Sequence, residues 1–337
     1  MSELGLKLAA IRDRPTPPEA EEYADALERA RGALAAEPPE VRPADSYGLP
    51  GGVLRLDPGL PTLLVPDLHA RLDFFLGLLE WQAPSGPGCG GLSVLEGLEV
   101  GQLQVLCLGD GMHAEARAAG RWKAAQREFA DGFRRHGHMD QEMRESLGLM
   151  QMVMECKAAF PGAFHFLKGN HENIANEEGG GNHPFVKFAL EGFMVADYMR
   201  LFYGEHVLAS HYEFEKQLPL LAVGSGFLAS HAEPAEFLPL ERVVAFRDDP
   251  NVVLGLTWTG DGEAEDDSVR RMLEHYLGQA EGAYYFGGHR PVQGFNLRAD
   301  GRYVQIHDPE RWVLALLPAD GRIDPQRDIL DIGEVQE

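Results

Sequence analysis

What most constrains this chain is a set of five short apolar runs, each closed by a small polar cluster. Thr62-Leu63-Leu64-Val65 ends in Pro66-Asp67-Leu68-His69, and Val105-Leu106-Cys107-Leu108 ends in Gly109-Asp110. Phe164-His165-Phe166-Leu167 leads to Gly169-Asn170-His171-Glu172, Gly226-Phe227-Leu228-Ala229 to Ser230-His231, and Ala283-Tyr284-Tyr285-Phe286 to Gly287-Gly288-His289. Short apolar runs stopped by Gly, Pro or Asp read as buried strands. All five clusters then sit on loops at strand ends, where α/β folds build their sites. Setting His171 aside, two Asp, one Asn and three His make an oxygen and nitrogen donor set without a thiolate, which suits a pair of borderline or hard divalent metals. Asp67 and His69 are two apart and point the same way in extended chain. Asp110 has two oxygens and can bridge two ions.

The order Asp-x-His, Gly-Asp, Gly-Asn-His-Glu, His, Gly-His resembles the calcineurin-like metallophosphoesterases, and within them the phosphoprotein phosphatase branch. Leu256-Thr257-Trp258-Thr259-Gly260-Asp261 is similar to that branch's Leu-Trp-Ser-Asp segment, and His289 is followed by Arg290-Pro291 rather than by a second His. The resemblance covers roughly residues 62–292. It implies an α/β fold, a four-layer α/β/β/α sandwich of two mixed sheets flanked by helices. It also implies that Asp67 and His69 ligate one metal, that Asp110 bridges, and that Asn170, His231 and His289 ligate the second. Two such ions, Mn, Fe or Zn, would hold a bridging hydroxide for in-line attack on a phosphoric ester. His171 would then protonate the leaving oxygen as general acid, with Glu172 a supporting hydrogen-bond partner.

Two residues depart from the family pattern. Where Gly-Asp-x-x-Asp-Arg-Gly would supply a partner for the catalytic His and an Arg for phosphate, the chain reads Gly109-Asp110-Gly111-Met112-His113-Ala114-Glu115. Replacement phosphate contacts are sought in His113, Arg117, Arg71 and Arg290. His113 is expected to bind substrate rather than to hold His171, because an imidazole can donate where an ionised Asp only accepts. His211 rivals His231 as a ligand; His231 is favoured because it closes the longer apolar run. The expected reaction is hydrolysis of a phosphomonoester on a phosphorylated small molecule or phosphoprotein. A phosphodiesterase or dinucleotide polyphosphate hydrolase would use the same metal site, and a non-catalytic binding module would keep the fold alone.

Charge and cysteine usage narrow the setting. With 53 acidic against 30 basic residues the formal charge is -23, which opposes capture of nucleic acid. Cys89, Cys107 and Cys156 are scattered without a C-x-x-C, which fits a reducing cytoplasm. No run of about 18 apolar residues is present to span a membrane, and residues 1–14 lack the apolar core of a signal peptide.

Residues 1–48 read as a helical extension packed on the main domain, with Thr16, Pro17 and Glu19 starting a helix whose stripe is Tyr23, Leu27, Ala30 and Leu34. Residues 49–320 read as the metallophosphoesterase domain, with a helical insertion at about 113–160 whose stripe Met143, Leu147, Met150, Met154 and Ala158 suits a core. Residues 321–337 read as an acidic tail. Residues 52–56, 303–307 and 312–317 are expected strands, 71–81 and 185–203 helices, and Val207 the start of another strand. Residues 83–91 read as a loop, and Gly179-Gly180-Gly181 marks a candidate lid.

Overall fold

Alternation along the strands dictates the layers. In the computed structural model, which describes residues 2–82 and 90–334, the chain opens with α1 (Glu3–Asp13), α2 (Ala20–Ala35), β1 (Val53–Arg55), β2 (Thr62–Val65), α3 (Leu72–Glu80), α4 (Val94–Glu99) and β3 (Gln104–Cys107). α5 (Ala119–Ala130) and α6 (Gly137–Ala159) precede β4 (Phe164–Phe166). α7 (Glu191–Tyr198) runs through a π turn, Met199–Tyr203, into α8 (Gly204–Gln217). Then come β5 (Leu221–Gly224), β6 (Phe227–Ala229), α9 (Leu240–Val244), α10 (Pro250–Thr257), α11 (Ser268–Leu277) and β7 (Tyr284–Gly287). The chain closes with β8 (Asn296–Arg298), β9 (Tyr303–Gln305), β10 (Arg311–Leu317), α12 (Pro325–Asp328) and β11 (Ile329–Glu334).

Two mixed sheets result. One has the order β1-β5-β6-β7-β9-β8, the other β11-β10-β2-β3-β4. Leu54, Leu64, Leu106, Ala222, Phe286 and Val304 meet between the sheets. Their strand neighbours face outward: Leu63, Val65, Val105 and Cys107 onto the helical layer that includes α2, α3 and α6, and Val53, Leu228, Tyr285 and Tyr303 onto the layer that includes α10 and α11. Because side chains alternate across a strand, continuous apolar runs buried on both faces yield the expected four-layer α/β/β/α sandwich. β2, β3 and β4 pair in parallel, as do β6, β7 and β9. Their C-terminal ends therefore open toward one face.

Several local expectations are corrected. The N-terminal stripe is buried as expected, Tyr23, Ala26, Leu27, Ala30 and Leu34 packing in α2, but the helix starts at Ala20 with no side-chain cap. Pro18 pushes Pro17 out of helical backbone, so Thr16 lies too early to cap. α1, capped by Ser2 on the Gly5 amide, was not anticipated. Val207 begins no strand: Val207, Leu208, His211, Phe214 and Glu215 are the buried face of α8, a 3.6-residue period visible only over a longer window. The helix read at 185–203 begins only at α7, where the Glu191 carboxylate accepts from the amides of Lys187, Phe188 and Ala189. The segment read as an acidic tail turns back as α12 and β11, with Leu330 opposite Leu314 in an antiparallel edge pair. Of the loop read at 83–91, residues 83–89 lie outside the described residues. Among the described residues no helix is long and apolar enough to cross a membrane.

Candidate metal centre

The strand ends deliver their polar clusters to one buried point. Asp67 and His69 follow β2, Asp110 follows β3, Asn170 and His171 follow β4, His231 follows β6 and His289 follows β7. Asp110 is central: its Oδ2 lies 3.7 Å from His69 Nε2, 3.7 Å from His171 Nε2 and 3.3 Å from His231 Nε2. The Asn170 Oδ1 is 2.9 Å from His231 Nε2 and 3.0 Å from His289 Nδ1. Asp67 Oδ2 lies 3.8 Å from His69 Nε2 and accepts from the His289 amide at 2.9 Å. His211, the rival of His231, is buried in α8 with Nδ1 3.1 Å from the Tyr23 hydroxyl, outside the cluster.

Backbone geometry places the carboxylates. The Glu172 carboxylate accepts from the amides of Asp110, Gly111 and Gly169 at 2.9, 2.8 and 2.6 Å, clamping two loops together. Asp110 Oδ1 accepts from the His171 amide at 2.9 Å. Gly288 is obligatory by close approach: a Cβ there would stand 2.9 Å from the Asp67 Cγ and nearer still to its Oδ1.

The electrostatics call for a cation. Burial alone would depress the His231 imidazolium, yet Asp110 and Asp67 beside it raise its pKa to about 9. Burial pushes Asp110 up, but His171 and His231 outweigh it and hold the carboxyl well below its usual value. Asp67 Oδ1 and His289 Nε2 are buried without a hydrogen-bond partner. Converging carboxylate and imidazole donors with orphaned atoms, and a local preference for positive charge, fit a metal site.

The sequence reading of the substrate side is revised. His113 is buried and turned toward His171, with its Nε2 left without a partner. Its Nδ1 lies 2.9 Å from His171 Nδ1, and its ring stacks on Phe185 at 4.9 Å. Burial lowers its pKa to about 3, and a neutral imidazole can donate or accept at that nitrogen. It stands as a hydrogen-bond partner of the His171 ring. Arg71 is buried, its guanidinium donating to the carbonyls of Asp67, Leu68, Asp308 and Pro309. Arg117 donates to the His69 and Ala70 carbonyls and pairs with Glu145 at 2.9 Å. Both therefore spend donors on the loop that carries Asp67 and His69. Arg290 is exposed, and among the described residues it pairs with no acid. The Gly179–Gly181 segment, read as a candidate lid, packs Gly181 against Pro250 and Val253 of α10. With Lys168, Glu172 and Glu215, Gly180 lines a cavity of about 390 Å³.

Two residues of the cluster escaped the motif reading. His307 ends β9, its Nδ1 3.9 Å from Asp67 Oδ2, and Glu115 Oε1 lies 3.6 Å from His69 Nε2. His307 follows the run Tyr303-Val304-Gln305-Ile306, which the polar Gln305 interrupts, so it carries only a weaker form of the signal that marks the other five clusters.

Comparison with solved structures decides the architecture. A protein serine/threonine phosphatase from Saccharomyces cerevisiae superposes with a TM-score of 0.58 at 15% identity, covering 95% of this chain and 91% of that one. The fold is that of the calcineurin-like phosphatases. A cold-active protein tyrosine phosphatase matches with a TM-score of 0.49, 13% identity and 90% and 82% coverage. A structure described as "a putative diadenosine tetraphosphatase" matches with a TM-score of 0.42, 11% identity and 84% and 98% coverage. No family model and no curated protein matches the sequence.

Proposed function

We propose that the protein hydrolyses phosphoric esters, most favourably monoesters, with two divalent cations held by Asp67, His69, Asp110, Asn170, His231 and His289. The carrying observation is the single carboxylate oxygen of Asp110 within 3.7 Å of histidine nitrogens from three strand ends, one of them His171. The phosphatase fold of the yeast structure supports the same reading. When bound, such a cation pair supplies a strong nucleophile from water at neutral pH and neutralises charge on the phosphoryl oxygens.

The chain's own residues do the rest. His171 presents Nε2 beside Asp110 while its Nδ1 is held by His113, so the ring is oriented to deliver a proton to a leaving oxygen. His113 is neutral, so it fixes the ring without the full charge stabilisation an ionised Asp would give the imidazolium. Candidates for the charge of the missing phosphate Arg are Arg290, next to His289 in the chain and exposed, and Lys187, whose Nζ is 4.0 Å from Glu115 Oε1.

The test is a panel of p-nitrophenyl phosphate, its bis-ester, phosphopeptides and dinucleotide polyphosphates, run with manganese on the purified protein. Turnover of monoesters above all others is expected. Preference for the bis-ester or the dinucleotide would reassign the substrate, and no turnover of any would leave a binding module on the phosphatase fold.

A further inference from the structure

The motifs place donors at five strand ends, but a sixth strand end and a turn reach the same point. His307 is fully buried, its ring 5.3 Å from that of His69. Its Nδ1 faces Asp67 Oδ2 at 3.9 Å and its Nε2 faces Glu115 Oε2 at 3.2 Å, yet neither nitrogen makes a well-formed hydrogen bond. A buried ring between two carboxylates, with no hydrogen bond of good geometry, marks a point where positive charge is favoured. Glu115 stands in the turn after Asp110, its side chain 13% exposed, with Oε1 3.6 Å from His69 Nε2. Its carboxylate thus spans the two histidines on the Asp67 side of the cluster. Lys187, half-exposed and 4.0 Å from Oε1, is a screened partner for it, and a cation placed between Glu115, His69 and His307 would neutralise it from the buried side.

Building on the two-cation reading, we propose that His307 and Glu115 are further ligands of the cation held by Asp67, His69 and Asp110. Three carboxylates and two imidazoles then surround one position. Five donors of this kind suit an ion that accepts octahedral geometry, such as Mn²⁺ or Fe²⁺, above one that prefers four ligands, such as Zn²⁺. They also leave that ion little open coordination, so a phosphate oxygen would be gripped chiefly on the Asn170–His289 side, where Arg290 stands.

The experiment titrates Co²⁺ into metal-stripped wild type, His307→Gln and Glu115→Gln, following the visible ligand-field bands and the metal retained after desalting. Wild type is expected to take two ions. Each variant should keep one at wild-type affinity and bind the other roughly tenfold more weakly or worse, with a changed band for that ion as its coordination falls. Glu115→Gln is nearly isosteric and lies at the rim, so it decides the matter if buried His307→Gln melts early. Two ions with unchanged affinity and spectrum in Glu115→Gln and in folded His307→Gln would overturn the inference and leave the two-cation reading standing. One ion in wild type, weakened by both changes, would keep the inference and overturn the two-cation reading. No ion in wild type would overturn both.

Discussion

Gly288→Ala tests whether the placing of Asp67 matters as the geometry requires. The added Cβ would lie 2.9 Å from the Asp67 Cγ, whereas relaxed carbon contacts lie near 3.5–4.0 Å, so about 0.6–1 Å must be found. The main chain cannot retreat easily: the Gly288 amide donates to the His231 carbonyl at 2.8 Å, and the next amide, His289, donates to Asp67 Oδ2 at 2.9 Å. The carboxylate, fully buried, must therefore swing out of the cluster. A misplacement near 1 Å is worth about 10²-fold in rate, and the overpacking itself about 1–3 kcal/mol of stability. Gly77→Ala, whose Cβ would press on the Trp312 ring at 2.5 Å and meets no donor of the cluster, is the control for overpacking alone. Metal content by elemental analysis, turnover of p-nitrophenyl phosphate and thermal unfolding are measured on both. Gly288→Ala should lose metal and activity while Gly77→Ala loses only stability. Wild-type metal affinity and rate in Gly288→Ala would refute the argument.

Three other outcomes follow from the same geometry. His171→Asn should retain metal and lose about 10²–10⁴-fold in rate on an alkyl phosphate, but less on an aryl phosphate, whose leaving group needs less protonation; equal losses would reassign the residue. His113→Ala should lower kcat by no more than His171→Asn does and leave inhibition by inorganic phosphate unchanged, since its Nδ1 is engaged by His171; weakened phosphate inhibition would return it to substrate binding. Burial lowers the His211 pKa from 6.5 to about 3. The unfolded chain thus takes up this proton first, and the stability involved, full above pH 6.5, falls by about 1.4 kcal/mol per pH unit below it. His211→Gln should flatten the stability–pH slope between pH 6.5 and 5 by that amount, read by urea unfolding, and an unchanged slope would contradict a neutral buried ring.

The layers and the centre were legible because both rest on periodicity. A strand buried on both faces must read as a continuous apolar run, and a donor placed after it must land at the strand's end; Asp67, Asp110, Asn170, His231 and His289 carry both signals. His307 follows a run broken by Gln305 and stands outside any familiar word. What pairs with what was not legible. Arg71 and Arg117 look like free cations near a metal loop, yet carbonyls of that loop and Glu145 take up their donors. The meeting of His113 with His171 was not legible either, because it depends on a distance that no spacing encodes. Short windows failed where a longer period was decisive: three apolar residues from Val207 suggested a strand, while Leu208, His211 and Glu215 lie on one helical face. The polar C-terminal stretch concealed β11, whose pairing is an edge contact that composition does not reveal.

The central claim is that the six donors around Asp110 hold two cations that perform phosphoester hydrolysis. It is tested most directly by returning manganese in measured equivalents to the metal-stripped protein while following p-nitrophenyl phosphate turnover. Activity should be absent without metal and rise to a plateau reached at two ions per chain. Metal-independent turnover, or a protein that binds two ions and hydrolyses none of the ester at any ratio, would contradict it.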